Sequence, residues 1–449
     1  MDTDLLSRIK EAGVVGAGGA GFPTHVKLAT QVEALIVNAC ECEPLIRVDQ
    51  QLLMSHRDEF LQGLEIALQL TEAKKCYIAI KSKHVEVVHS LRGALKGSGS
   101  TEIFEMADYY PAGDEQILVF DVLGKIVPLN GIPLDVGCVV CNVETLINVS
   151  RAVRAVPVTT TFVTVTGAVP KPATYELPIG MSYREALKLS GVLEPGAMAV
   201  IDGGPMMGKL ITDLEAPITK TTKAIMQLDN NNNVVLKQSM TERQLIRQSK
   251  AACEQCQKCT DLCPRDLLGH DVKPHLIMRI VNYGISDFAG IKKSLGCSEC
   301  GACELYACPS NLSPRRFNVM IKQQLGAAGI KNGSSEVLPS ASEMFAYRRI
   351  PTKRLVARLG LTAYDQPAPL KETRYEPQQV TLLLKEHVGA PATLAVGLGD
   401  RVKRGDVVGR MDDKLLGANI HASIDGVVTQ VNESAVVLTR ESTEVKEQP

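Results

Sequence analysis

CEQCQKCTDLCP (residues 253–264) and CSECGACELYACP (residues 297–309) hold eight of the thirteen cysteines in the 449-residue chain. In each run three cysteines stand two residues apart, at 253, 256 and 259 and at 297, 300 and 303, and a fourth follows after a longer gap with proline behind it. Three thiolates so spaced can wrap one [4Fe–4S] cubane from a single loop, while the delayed Cys-Pro is turned toward a second cubane. The ligands should therefore interleave. Cys253, Cys256, Cys259 and Cys308 are expected on one cluster, and Cys297, Cys300, Cys303 and Cys263 on the other. The second run has one residue more before its last cysteine than the first, so the place of Cys308 is the least fixed of the eight. Disulfides would need an oxidising compartment, and the sequence opens MDTDLLSRIK with no apolar signal core behind a basic start. Zinc ribbons share CxxC pairs but do not call for a delayed Cys-Pro repeated in tandem. The reading is an α-helical, two-cluster, ferredoxin-like domain over 240–326.

Working outward from the cysteines, the chain reads as multidomain α/β. Residues 31–125 alternate apolar strands (34–37, 76–80, 103–106) with helical patterns (51–71, 85–95), the texture of a doubly wound, Rossmann-like parallel sheet, here given the bounds 1–157. Residues 158–228 change to short β-branched runs with one helical insert at 183–190, closed by GGPMMG at 203–208, which fits a small β-grasp module that binds a soluble ligand. Downstream, 327–377 carries scattered Gly, Pro, Ser and Arg with little period and reads as a linker able to wrap other domains. Residues 378–449 return to short strands with Gly-Asp turns, the rhythm of a barrel-sandwich hybrid. Lys414 sits near where a carrier's modified lysine would stand, but its distance to the next Asp-Gly turn is off by a residue, so an unmodified structural or docking module is expected.

Composition narrows the function. Net charge is −1 with basic residues scattered, aromatics are 4% and tryptophan is absent, so nucleic acid is not an expected partner. No uninterrupted apolar stretch reaches the eighteen or so residues of a membrane span. Thiols used as ligands imply a reducing, cytoplasmic setting.

Gly16-Ala17-Gly18-Gly19-Ala20-Gly21-Phe22-Pro23-Thr24 can bring several backbone N–H groups against a phosphate. Alone it is ambiguous, being neither a GxGxxG after a strand nor a Walker loop. Three further motifs follow in order: Asn38-Ala39-Cys40-Glu41-Cys42-Glu43-Pro44, Tyr110-Pro111-x-Gly113-Asp114-Glu115-Gln116, and Asn142-Val143-Glu144-Thr145-Leu146. With residues 16–27 they resemble the flavin-binding subunits of respiratory NADH dehydrogenase and the C subunits of Rnf electron-transport complexes. The resemblance implies that Gly16, Gly18, Gly19, Gly21 and Lys27 hold the FMN phosphate and ring edge. It further implies that Asn38, Asn142 and Thr145 hold ribityl and phosphate, and that Phe22 and Glu43 face the nicotinamide nucleotide, NADH being the electron donor. Ala17 and Cys40 depart from that pattern, where the respiratory subunit has arginine and aspartate.

In Rnf C subunits the barrel-sandwich module precedes the flavin loop, whereas here it comes last. That order resembles the cobalamin reductase family of propanediol-utilisation microcompartments. The resemblance implies an NADH-dependent reductase passing electrons through FMN and two [4Fe–4S] clusters to cobalamin. A corrinoid adenosyltransferase would be its partner and the lumen of a bacterial microcompartment its place. The alternatives are an Rnf-like exchange between NAD and ferredoxin, or a non-catalytic electron-transfer scaffold. Leu5, Leu6 and Ile9 suit an ordinary packed first helix better than a tag that docks to shell proteins. Cys40, Cys42, Cys138 and Cys141 read as pocket lining rather than a third metal centre, and His270 and His275 as surface residues of a helix beside the first cluster.

Overall fold

The computed structural model describes residues 2–97, 99–194, 196, 198–331, 340–373 and 375–441. The first unit opens with α1 (Thr3–Glu11), whose N-terminus is closed by the Asp2 carboxylate accepting from the Asp4 and Leu5 amides. Its Ile9 is fully buried, with Leu5 and Leu6 packed against the same core. After the glycine loop come α2 (Thr24–Leu28), β1 (Ala34–Ala39), α3 (Val48–Ser55), α4 (Arg57–Thr71), β2 (Lys75–Lys81), α5 (Val85–Ala94), β3 (Thr101–Met106), β4 (Tyr109–Tyr110), α6 (Glu115–Leu123), β5 (Cys138–Asn142) and α7 (Val143–Val153). The single helix expected at 51–71 is two. His56 leaves helical geometry (φ −119°) and packs its ring edge-on against Phe162.

The first sheet is parallel, in the order β3-β2-β1-β5. From β1 the chain steps outward through β2 and β3 and then returns to β1's other side with β5. The carboxyl ends of β1 and β5 therefore flank the switch in strand order, where parallel sheets open a crevice. Asn38 and Asn142 lie in register across it.

The second unit is a six-stranded sheet. Five of its strands are β6 (Thr160–Gly167), β7 (Ala173–Pro178), β8 (Ala199–Asp202), β9 (Lys209–Ile211) and β10 (Ala224–Leu228), covered by helix α8 (Tyr183–Leu189), and the sixth comes from further along the chain. Helices then dominate: α9 (Asn233–Ser239), α10 (Glu242–Ala252), α11 (Lys258–Asp261), α12 (Pro264–Leu267), α13 (Pro274–Tyr283), α14 (Phe288–Lys292) and α15 (Pro314–Ala327). The segment read as a linker carries β11 (Ile350–Pro351), α16 (Thr352–Arg358) and β12 (Leu370–Lys371). β11 pairs with β4 of the first unit, and β12 becomes the edge strand of the second sheet beside β7. The last strands are β13 (Gln379–Leu383), β14 (Thr393–Leu394), β15 (Arg401–Val402), β16 (Val407–Arg410), β17 (Ile420–His421), β18 (Gly426–Val431) and β19 (Ala435–Thr439). They form two small sheets, β13-β19-β18-β15 and β14-β16-β17. Lys414 is exposed beside them, and the neighbouring Asp413 pairs with Lys10 of α1 at 2.7 Å. Among the described residues no helix is long and apolar enough to cross a membrane.

Candidate functional site: a crevice and two cysteine sets

The glycine loop is pinched at its neck, where Val15 bridges Pro23 and the Gly16 amide donates to Phe22 O at 2.9 Å. Its tip, Gly18 to Ala20, is exposed. A Cβ on Gly19 would meet nothing within 4 Å, and one on Gly18 would come within 3.1 Å of the Asn142 side chain. The loop thus leans over the N-terminus of α7. There Asn142 Oδ1 accepts from the Glu144 amide (2.9 Å) and Thr145 Oγ1 accepts from the Ala17 amide (2.9 Å). An eleven-residue helix presenting its first amides beneath a loop without bulky side chains is suited to an anion.

Lys27 reaches the same crevice, donating to Val140 O at 3.0 Å with Glu115 Oε1 3.7 Å away. Asn38 donates to Gly113 O (2.9 Å) and so ties the end of β1 to the Tyr110–Gln116 loop. Gly21 differs from the other loop glycines. At φ +73° it is buried, and a Cβ there would meet Glu386 O and the His387 backbone at 3.1 Å. Its constraint comes from the C-terminal barrel, a contact that local sequence could not reveal. Phe22 is half-buried at the neck.

Glu43 is covered by the 203–208 turn of the second unit, and Gly204 lies so close that any side chain there would clash with the carboxylate. Its Oε2 accepts from the Met206 amide at 3.0 Å, while Oε1 is buried without a hydrogen-bond partner. Burial pushes this carboxyl up to about 7, against the Met206 and Met207 amides. Sequence reasoning missed a set of buried charges where the first and second units meet. Lys223, from the second unit, pairs with Glu144, and burial lowers its ammonium to about 8 against the nearby Asp49 and Glu41. Asp49 in turn accepts from Asn142 Nδ2 at 3.1 Å. Of the four non-cluster cysteines expected as lining, Cys42 lies 3.2 Å from the position of a Gly113 Cβ, and Cys40 donates to Ala79 O at 3.4 Å. Burial pushes the Cys42 thiol up to about 12 and those of Cys138 and Cys141 up to about 11.

The two cysteine runs have matching backbones. Gln255 and Glu299, and likewise Gln257 and Gly301, stand at positive φ at equivalent places. The Glu299 amide donates to Cys297 Sγ (3.4 Å) and the Leu312 amide to Cys308 Sγ (3.3 Å). The runs differ where the spacing differs. Cys259 stands in the short helix α11, whereas Cys303 stands in a π-helical turn, Ala302–Ala307. A π turn takes one residue more than an α turn, so the extra residue is absorbed and Cys308, like Cys263, emerges extended and followed by proline.

Cys253, Cys256, Cys259 and Cys308 line one cavity, with His275 and Met278 in its wall. Cys256 is exposed, so this set opens to solvent. Cys263 lies in the field of Cys300 and Cys297, and Cys303 in that of Cys297, Cys300, Cys263 and, last, Cys259 of the other group. Burial with those neighbours pushes both thiols well up. Each group thus takes three cysteines from one run and one from the other, and its all-sulfur donors suit an iron–sulfur cluster. The second group faces the crevice: Tyr110 donates to Cys300 O at 2.6 Å, and Arg265, two residues after Cys263, pairs with Asp114 at 2.9 Å. His270 is not a surface histidine; it is buried and bonded to Val127 O at 2.9 Å.

Four family models match, in chain order: a Nuo51 FMN-binding domain over 9–151, an SLBB domain over 162–210, a 4Fe-4S dicluster domain over 252–313, and an RnfC barrel sandwich hybrid domain over 365–446. The chain is 44% identical over 439 residues to the cobalamin reductase PduS of Salmonella typhimurium and 43% over 438 to that of Citrobacter freundii. Each match covers 97% of this chain and 96% of the relative. The C subunit of the proton-translocating ferredoxin:NAD(+) oxidoreductase complex of Clostridium ljungdahlii is 32% identical over 270 residues, 59% of this chain and 56% of that one.

Proposed function

Because the chain belongs to the PduS cobalamin reductase family, we propose that it oxidises NADH and delivers the electrons to cobalamin, from cob(III)alamin to cob(II)alamin and on to cob(I)alamin. It is an NADH-linked oxidoreductase of the flavin and iron–sulfur type, with an FMN-binding domain and a 4Fe-4S dicluster domain. The observation that carries the reading is the end-to-end similarity to two cobalamin reductases, across the same chain that joins a phosphate-suited crevice to two four-cysteine groups.

On this reading Gly16, Gly18, Gly19 and Lys27 hold the FMN phosphate with the amides of α7, Gly21 shapes the loop, and Asn38, Asn142 and Thr145 hold the ribityl side. FMN, when bound, takes two electrons as hydride and releases them singly. Glu43 and Phe22 border the nicotinamide side, where the buried Glu43 carboxyl is able to hold a proton near neutral pH. Cys263, Cys297, Cys300 and Cys303 would carry the inner cluster, against the Tyr110–Gln116 loop. Cys253, Cys256, Cys259 and Cys308 would carry the outer one, opening toward the acceptor. Localisation in a microcompartment and partnership with an ATP-dependent adenosyltransferase go with the family's chemistry, since cob(I)alamin is uphill from NADH unless it is consumed as it forms. Anaerobic incubation of the protein with such a transferase, NADH, ATP and cob(III)alamin should yield adenosylcobalamin. Ferredoxin reduction with no adenosylcobalamin would replace this reading with the Rnf-like one.

A further inference from the structure

The C-terminal barrel holds the glycine loop at both stems. At the exit, the Val388 amide donates to Gly21 O at 3.3 Å, and Gly21 has the positive φ that brings its backbone against Glu386. At the entrance stands Lys220, supplied by the second unit and only 3% exposed. Its ammonium donates to Gly13 O at 2.9 Å and to Asn419 O of the barrel at 2.7 Å, while its backbone amide donates to Glu386 Oε2 at 3.2 Å. A buried ammonium costs solvation that only well-placed acceptors offset. Here both acceptors are backbone carbonyls, one on the stem of the loop and one on the barrel. By contrast, among the described residues the hydrogen bond that the rest of the first unit offers residues 16–21 is the one from the Ala17 amide to Thr145 Oγ1.

We propose that the barrel-sandwich domain is a positioning element for the phosphate loop, with Lys220 as the pin that couples the two, so that FMN affinity is set partly from outside the FMN-binding domain. Lys220 is a positioning residue; it touches the loop stem and not the crevice. The inference rests on the reading of the loop as the FMN phosphate site. It gives an unmodified carrier-type fold a task that needs no lysine modification, in keeping with the exposed Lys414.

The test uses the full chain, prepared anaerobically with its clusters and then stripped of flavin. Lys220→Met keeps the buried stem and removes the donors. Val388→Pro removes one N–H from a partly exposed residue and serves if the first variant fails to fold, which iron content and thermal melting report. Gly19→Val probes the loop tip independently. Amide hydrogen exchange should rise at residues 13–24 in the flavin-free variants. FMN affinity should fall about tenfold, the loss expected for charge-assisted hydrogen bonds of this kind. Unchanged exchange and affinity would overturn the proposal. Faster exchange with unchanged affinity, while Gly19→Val loses FMN, would also overturn it and leave the FMN reading standing. If Gly19→Val too retains FMN, the FMN reading itself fails and the proposal with it.

Discussion

Glycines that look alike in sequence do different work in the loop at 16–21. Gly19 has open space where a Cβ would go, so valine there should leave the fold intact and exclude the phosphate. Gly19→Val is expected to weaken FMN binding by roughly hundredfold, about 3 kcal/mol, with iron content unchanged; a fluorescence titration of flavin-stripped protein checks it. Gly21 was legible as a loop glycine, but its reason was not, because the residues it meets lie at 386–388, beyond any local pattern. The buried histidines were equally silent. Burial, with Lys220 and Arg410 nearby, lowers His421 to about 3, and burial with Lys220 lowers His387 to about 4. A histidine whose folded value lies below its ordinary 6.5 binds more protons when unfolded, so its contribution to stability is present above 6.5 and lost as pH falls toward the folded value. Stability should therefore decline between pH 6.5 and about 3, and His421→Gln should flatten that decline in denaturant titrations if the variant folds.

At the scale of elements, the loop Tyr110–Gln116 joins two units that the sequence read separately. Tyr110 is 1% exposed and bonded to Cys300 O, and Asp114 is paired with Arg265. Tyr110→Phe keeps the ring and deletes the donor. The expected outcome is a loss of about 1 kcal/mol in stability and a shifted EPR signal from the cluster tied to Cys300, with flavin content unchanged. The cysteine runs themselves were legible because ligand spacing is written in the chain. The π-helical turn at Ala302–Ala307 was not, since one additional residue in a short helix has no periodic signature. The division of the expected 51–71 helix at His56 was hidden for a similar reason: a contact with Phe162, in another unit, accompanies the break.

Over the whole molecule, the units are sewn together by a segment whose sequence reads as a wrapping linker and by the turn that closes the second unit. The stretch 340–373 adds β11 to the first unit and β12 to the second, and the 203–208 turn bonds Glu43 through the Met206 amide and Arg315 through the Met206 carbonyl (2.7 Å). Composition and motif order conveyed the series of modules, whereas the seams depend on long-range packing. If the outer group is as placed, Cys256→Ala should remove about four iron atoms per chain and leave flavin reduction by NADH intact, as iron analysis and stopped-flow absorbance would record. The interleaving of the two runs across the inner and outer groups is the central claim. Its most direct measurement is the EPR spectrum of anaerobically prepared Cys263→Ala after addition of NADH. The cluster expected on Cys297, Cys300 and Cys303 should be lost, while the outer cluster remains assembled but is not reduced by NADH. Loss of the cluster belonging to Cys253, Cys256 and Cys259, or full reduction of that cluster by NADH in the variant, would contradict the account.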